Sequence, residues 1–135
     1  WARGSIQSGF CKVYEKDPEP VLRLLLYLNR GQRDGLSWKF FPSGKLKETA
    51  WYRKDLRHGT QQRFSSDGRL MSSADFNDGK LEGILEEYGE KGQLLSRKRY
   101  VLGRLHGPAE YYNAAGALQR KVIYKEGRAV HMEEF

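Results

Sequence analysis

Two consecutive segments of the chain decide its fold. Residues 83–100 read GILEEYGEKGQLLSRKRY, and residues 107–124 read GPAEYYNAAGALQRKVIY. In both segments a glycine is followed by an aromatic residue five positions later, then by Gly-x-Leu, and finally by a closing tyrosine. The two segments start 24 residues apart. Such a fixed period indicates a repeat architecture, and it therefore has to be followed along the rest of the chain.

The same period extends upstream and divides residues 29–124 into four units of 24 residues. Twelve of the 15 glycines lie in three columns of this repeat, so we interpret them as turn residues and not as parts of a flexible linker. The columns are Gly35, Gly59, Gly83 and Gly107; Gly44, Gly68, Gly92 and Gly116; and Gly31, Gly79, Gly103 and Gly127, with Asp55 in the missing place.

Each unit contains two runs of strand length with a turn signal between them. In the first unit the runs are residues 36–41 and 46–52, and Gly44 lies in the turn. Glycine supplies the positive φ that tight turns require. The repeat therefore predicts one β-hairpin per unit, with turns centred near Gly44, Gly68, Gly92 and Gly116.

No segment shows a helical stripe of ten or more residues, so the sequence predicts an all-β fold. We expect a repetitive antiparallel hairpin meander of about ten strands that forms a single elongated, twisted sheet. Residues 1–28 read as a degenerate capping hairpin, residues 29–124 as the four repeats, and residues 125–135 as a terminal strand. All of these belong to one domain.

Strict alternation along each strand predicts which side chains share a face. In the first unit it places Leu36, Trp38, Phe40, Leu46, Ala50 and Tyr52 on one face, and Ser37, Lys39, Lys47, Thr49 and Trp51 on the other. Because 24 is even, every unit keeps this parity. The second face is then expected to carry Arg63, Asp75, Glu87, Arg97, Arg99 and Lys121.

Composition gives little support for catalysis or for a membrane span. The longest apolar run is five residues, far below the roughly 20 that cross a bilayer. Cys11 is the single cysteine, which excludes an internal disulfide and a cysteine zinc site, so we interpret it as a partly buried structural thiol. His58 and His106 lie two units apart and are interpreted as turn histidines. We therefore predict no enzyme activity, no cofactor and no metal.

The net charge of +7 is compatible with an acidic partner without requiring one. Basic residues are scattered among acids, and their densest patches are Arg53-Lys54 with Arg57 and Arg97-Lys98-Arg99 with Arg104. Most aromatic residues belong to the repeat columns. We therefore interpret the basic residues as a solvated face and predict no nucleic-acid partner.

One column carries residues that the repeat does not dictate. It reads Trp38, Gln62, Glu86 and Glu110, and it runs beside the aromatic column Phe40, Phe64, Tyr88 and Tyr112. These eight residues are the predicted partner-binding site, with Trp38 as an apolar anchor and the two glutamates facing basic groups. The alternative is that long polar side chains merely cover the sheet.

The repeat resembles the MORN-repeat variant of the YwqK-type antitoxin family over about residues 28–124, with departures at Asp55 and in residues 1–28. The resemblance implies a scaffold that neutralises a toxin or secreted effector by direct contact. Related MORN arrays imply the alternative of a module bound to anionic lipid. Four acids in the third unit, Glu82, Glu86, Glu87 and Glu90, favour the protein partner, because an anionic bilayer would repel them.

Several properties stay open at this stage. They are the identity of the target, the face of the sheet that binds it, the oligomeric state, and whether residues 1–28 are a cap or part of the binding site. The chain starts at Trp1, so a removed signal peptide is compatible with it, and either the periplasm or the cytoplasm of a bacterium is an expected location.

Overall fold

The computed structural model describes residues 8–16 and 18–135, and it confirms the predicted all-β class. These residues form thirteen strands and no helix. The strands are β1 (Gly9–Lys16), β2 (Pro20–Asn29), β3 (Gln32–Arg33), β4 (Gly35–Phe40), β5 (Leu46–Arg53), β6 (Leu56–Arg57), β7 (Gly59–Phe64), β8 (Leu70–Asn77), β9 (Lys80–Tyr88), β10 (Leu94–Val101), β11 (Arg104–Tyr112), β12 (Leu118–Lys125) and β13 (Arg128–Glu134).

All thirteen strands belong to one open antiparallel sheet, in which neighbours in sequence are neighbours in space. Eleven strands follow one another along its path, and the two-residue strands β3 and β6 pair with β2 and β5 beside it. The expected meander is therefore confirmed, with eleven strands along its path where about ten were predicted. Among the described residues there is no helix with the length and hydropathy needed to span a bilayer.

The turn within each repeat is a short loop that ends in a glycine. In the first repeat the Gly44 amide donates to the Phe41 carbonyl at 2.9 Å, and the Phe41 amide donates to the Lys45 carbonyl at 2.8 Å. Gly44 has a φ of 89°, which is the left-handed conformation that closes such three-residue hairpin loops. The same pair of hydrogen bonds recurs at Gly68, Gly92 and Gly116, which confirms the predicted turn positions.

The turn between repeats has two central residues, both with positive φ. Leu102 and Gly103, for example, have φ values of 49° and 81°, as a type I′ turn requires. These turns also stack on one another, because the Gly103 amide donates to the Leu81 carbonyl of the previous repeat at 2.8 Å. One edge of the sheet therefore consists of hydrogen-bonded turns that link successive repeats.

Asp55 takes the place of the missing glycine, with a φ of 68°. Its carboxylate accepts hydrogen bonds from the Arg33 amide and from Arg33 Nε, both at 2.9 Å. These hydrogen bonds compensate for the left-handed backbone, which aspartate tolerates better than most residues. They also lower the pKa of Asp55, the amide of Arg33 being the largest cause and its guanidinium the second.

The lowered pKa predicts a pH-dependent contribution of Asp55 to folding. The contribution is present above the pKa of an unfolded aspartate, about 3.9, and is lost as pH falls through the lower pKa of the folded state. We therefore expect Asp55→Asn to be less stable than the wild type in urea at pH 7. The difference should shrink as the pH is lowered towards 2. A constant difference across this range would contradict the assignment.

The structure corrects the predicted faces of the sheet. In the first hairpin Phe40 is opposite Leu46, whereas Lys39 is opposite Glu48, so Lys47 is an extra residue without a partner. Met71, Leu95 and Gln119 occupy this bulge in the other repeats. An extra residue reverses the alternation beyond it, because the side-chain period of a strand is two. In the second strand of each repeat, the sequence therefore predicted the wrong face for the side chains that follow the bulge.

One face, which we call the packed face, carries every buried residue of the described part of the chain. In the first repeat Ser37 and Lys39 lie on it together with Glu48, Ala50 and Tyr52. The buried residues are Cys11, Leu26, Leu28, Ser37, Glu48, Ala50, Tyr52, Gln61, Ala74, Ser96, Ala109 and Val122.

The opposite face, which we call the outer face, carries Leu36, Trp38, Phe40 and Leu46 together with Thr49 and Trp51. Arg63 and Glu87 lie on the packed face, opposite to Trp38, as the sequence predicted. Four charged residues, however, were predicted to lie away from Trp38 and instead share the outer face with it. They are Asp75, Arg97, Arg99 and Lys121.

The glycine at the start of β7 has a steric role beyond its backbone conformation. Gly59 has a φ of 107°, and a Cβ atom added there would lie 3.2 Å from Cβ of Trp51 on the neighbouring strand. Gly44, by contrast, has a similar positive φ of 89° but open space around it. The two positions therefore separate the cost of backbone strain from that of crowding.

We expect Gly59→Ala to lower the free energy of unfolding by about 2 to 6 kcal/mol, because strain at positive φ and overpacking each cost about 1 to 3 kcal/mol. Gly44→Ala should cost only the strain, about 1 to 3 kcal/mol. Urea unfolding of the two variants provides the measurement. Equal costs would show that the contact with Trp51 does not constrain Gly59.

Candidate partner-binding face

The four residues of the predicted variable column lie in one continuous row across the outer face. Their register places Trp38, Gln62, Glu86 and Glu110 on alternate strands of this row. The residues between them and at either end were not assigned to it from the sequence. From β1 to β13 the full row is Lys12, Leu25, Trp38, Thr49, Gln62, Ser73, Glu86, Arg97, Glu110, Lys121 and Glu133.

The predicted aromatic column forms a second row on the same face, nearer the Gly44-type loops. Each of its members is directly opposite the leucine that opens the next strand. The pairs are Phe40 with Leu46, Phe64 with Leu70, Tyr88 with Leu94, and Tyr112 with Leu118. All eight predicted site residues are thus on one face, and all eight are half-buried.

The polarity of the row from Lys12 to Glu133 changes along the sheet. Over β2 to β8 it consists of apolar and neutral polar side chains, from Leu25 to Ser73. From β9 onwards it becomes a ladder of alternating charges, which consists of Glu86, Arg97, Glu110, Lys121 and Glu133. Directly opposite charges of unlike sign stabilise a sheet by about 0.2 to 1 kcal/mol per pair.

Arg97 is opposite both Glu86 and Glu110, and its Nε atom is 3.9 Å from Oε2 of Glu86. Sequence reasoning missed this arginine because the bulge at Leu95 moves it to the outer face. Arg97 therefore partly neutralises the two glutamates. Glu86 and Glu110 are therefore components of a charge ladder and not an isolated acidic patch.

Two tyrosines of the aromatic column, Tyr88 and Tyr112, lie next to glutamates of the charge ladder. The Tyr112 hydroxyl donates to Oε2 of Glu110 at 3.1 Å. Burial raises the pKa of Tyr112, and the hydrogen bond to Glu110 raises it further. Burial likewise raises the pKa of Tyr88, with the charge of Glu86 as the second cause. Both hydroxyls therefore remain protonated donors at neutral pH.

Tyr88 also forms part of a shallow depression at the loop edge of this face. Met71, Leu95 and Arg69 line the depression with it. Arg69 is held in place by a hydrogen bond of 3.1 Å from Nη1 to the Gly89 carbonyl. The bulge residues Met71 and Leu95 are exposed, so the depression offers apolar contact next to an arginine whose Nε is paired with Asp67 at 3.1 Å.

The single cysteine, Cys11, and the histidines His58 and His106 make structural contacts. Cys11 is buried in a cluster with Leu26 and Leu28. Nδ1 of His106 accepts a hydrogen bond of 3.2 Å from the amide of Glu126, and Nδ1 of His58 is 3.5 Å from the amide of Asp78. Each of these amides belongs to the first central residue of a turn between repeats. Each histidine therefore contacts the next turn between repeats along this edge of the sheet.

Comparison with known proteins identifies the class of repeat. Residues 105–126 match the MORN repeat variant family. The match begins in β11 and ends at the turn after β12, so it covers the strands of the fourth unit. No curated protein matches the chain. The chain therefore contains a MORN repeat variant within an array of β-hairpin repeats, an architecture suited to a binding scaffold.

Proposed function

We propose that this protein is a non-enzymatic scaffold that neutralises a toxic effector protein by holding it on the outer face. The observation that carries the proposal is the continuous row from Lys12 to Glu133, in which equivalent positions of the repeat hold different residues. Such variation indicates that the fold does not require a particular side chain there. The assignment to a YwqK-type antitoxin rests on the resemblance of the repeat and belongs to the same proposal.

The chemistry of the row supports a protein partner. Interfaces obtain most of their binding energy from a few buried aromatic side chains surrounded by polar groups. Trp38 supplies a large apolar side chain where the next repeats have Gln62 and Glu86. The charge ladder lies at the other end of the row, where it would set specificity and association rate more than affinity.

The proposal is tested by capture followed by growth rescue. Immobilised wild-type protein, Trp38→Gln and the packed-face variant Arg63→Gln are each exposed to extracts of the source cell. A protein retained by the wild type and by Arg63→Gln, but not by Trp38→Gln, is then expressed in a test host. We expect it to arrest growth and expect wild-type protein, but not Trp38→Gln, to restore growth. A captured protein without toxicity would contradict the proposal.

The alternative of an anionic-lipid module is disfavoured by the charge ladder in the row of Trp38, where Glu86, Glu110 and Glu133 outnumber the two cations between them, Arg97 and Lys121. A bilayer placed on the outer face would meet all three carboxylates. We therefore expect no more binding to phosphatidylserine vesicles than that of an unrelated protein of equal charge. Vesicle flotation at low and at physiological salt is the measurement, because the Debye length falls from about 30 to 8 Å between them. Tight binding at physiological salt would favour the lipid module.

A further inference from the structure

A third row on the outer face, separate from the column of Phe40, Phe64, Tyr88 and Tyr112, exposes large aromatic side chains. Phe10 is opposite Tyr27, and Leu36 is opposite Trp51. Tyr27 lies two residues beyond Leu25, which is opposite Trp38, so the four side chains follow one another across β1, β2, β4 and β5. The exposed fractions of Phe10, Tyr27 and Trp51 are 65%, 38% and 48%. We call these four residues the aromatic row.

The fold does not demand aromatic residues in this row. Tyr27 and Trp51 belong to a repeat column whose later members are Asp75, Arg99 and Ile123. Each of the first four members of this column lies over a glycine of the next long strand. In the last three of these pairs, Trp51 lies over Gly59, Asp75 over Gly83 and Arg99 over Gly107. What the repeat requires is therefore the glycine underneath, while the side chain above it varies freely in size and charge.

The surroundings of the aromatic row indicate the charge of what binds there. On β1, β2, β4 and β5 the outer face carries no carboxylate, whereas Lys12 lies beside Phe10 on β1 and is exposed. Arg53, two residues beyond Trp51, is also exposed, and its guanidinium is 2.8 Å from Asp78. Residues 1–67 carry 13 Lys or Arg and 7 Asp or Glu, a net charge of +6. The row is therefore an apolar surface with an exposed cation, Lys12, at its β1 end, while Arg53 is paired with Asp78.

Two further observations select the kind of partner. The rings of Phe10 and Tyr27 meet edge to face, with an interplanar angle of 75° and centroids 5.3 Å apart. Ring faces at such an angle do not form one flat platform for a planar ligand. A bilayer laid along the row would also meet Asp75, which lies on the outer face two strands beyond Trp51 in the sheet path. Apolar side chains projecting from a polypeptide fit both constraints.

We propose that the aromatic row is a docking surface for a polypeptide segment whose apolar side chains are flanked by acidic residues. The apolar side chains contact Phe10, Tyr27 and Trp51, and a carboxylate pairs with Lys12. Removal of exposed aromatic area from water supplies the affinity, and the cation selects the sign of the flanking charge. The inference shares the outer face with the proposed function but does not depend on the partner being a toxin.

Two synthetic peptides test the inference without any toxin. Both have 15 residues with leucine and phenylalanine at the same positions, and the remaining positions are glutamate in one peptide and lysine in the other. Binding to the full chain is followed by fluorescence anisotropy of a label on the peptide. We expect the glutamate peptide to bind at least tenfold more tightly than the lysine peptide. Phe10→Ser and Trp51→Ala should each weaken it at least tenfold.

Matched variants make the test specific. Lys12→Glu should reverse the preference between the two peptides, while Leu102→Ser, which removes an equally exposed apolar residue outside the row, should change neither affinity. Urea unfolding confirms that each variant is folded. Equal affinity for both peptides, insensitivity to Lys12→Glu, or no binding at millimolar peptide would overturn the inference. Self-association of the wild type that Trp51→Ala abolishes would overturn it in favour of a second copy of the chain.

Discussion

Replacing Trp38 with glutamine is expected to weaken binding of the protein partner about 30-fold or more, which corresponds to about 2 kcal/mol. Glutamine is the residue that the next repeat places at the equivalent position, Gln62, so the sheet should accept it with little loss of stability. The expected loss therefore reports the contact of the indole with the partner. Isothermal titration of the purified pair gives the affinity, and urea unfolding of the free variant gives the stability.

The controls for this comparison come from the packed face. Arg63 and Glu87 point away from Trp38 on strands that cross the same row, so Arg63→Gln and Glu87→Gln should change the affinity by less than a factor of about three. Glu86→Gln and Glu110→Gln should chiefly slow association and reduce its salt dependence. A large loss at Arg63 with none at Trp38 would place the partner on the packed face.

Replacing Tyr52 with alanine is expected to lower the free energy of unfolding by about 3 to 5 kcal/mol, which is the range for large aromatic side chains removed from packed sites. Tyr52 is buried on the packed face, and the Arg33 guanidinium lies 4.3 Å from its ring centroid. The variant would therefore lose both burial and a cation–π contact, which is worth about 0.5 to 1 kcal/mol at an exposed site. Urea unfolding is the measurement.

Phe64 and Tyr88 provide the comparison on the outer face. They are half-buried, so Phe64→Ala and Tyr88→Ala should each cost about half as much as Tyr52→Ala. If Phe64→Ala proved more damaging than Tyr52→Ala, the assignment of the packed face would be wrong.

The hairpins and their turns followed from the sequence because glycine is required where φ is positive. The columns of Gly44 and Gly31 mark the two kinds of turn, and each occurs at the predicted place. Asp55 shows the limit of this reasoning. Its left-handed conformation is supported by two hydrogen bonds from Arg33, 22 residues earlier, and no local pattern reveals them.

The faces of the second strands could not be predicted, because a bulge has no distinctive residue in this repeat. The extra positions hold Lys47, Met71, Leu95 and Gln119, which share neither size nor charge. A shift of one residue at this point moved Trp51 and Arg97 from one side of the sheet to the other. The eight predicted site residues remained together because all of them lie on the first strand of a hairpin, before the bulge.

The charge ladder also escaped prediction, although its glutamates were identified. Glu86 and Glu110 are 24 residues apart in the sequence, and only the register of β10 between them reveals that Arg97 faces both. Long-range pairing of this kind depends on the bulge at Leu95. The sequence could therefore identify the carboxylates but not their neutralising partner.

Two adjacent residues test the central claim, that the outer face holds the partner, most directly. Gln62 and Arg63 are neighbours on β7 and lie on opposite faces of the sheet. The single cysteines Gln62→Cys and Arg63→Cys, each introduced into a Cys11→Ala background, are labelled with a maleimide with and without the captured partner. We predict that the partner slows labelling at position 62 at least tenfold and leaves position 63 unchanged. Protection at position 63 with none at position 62 would contradict the account.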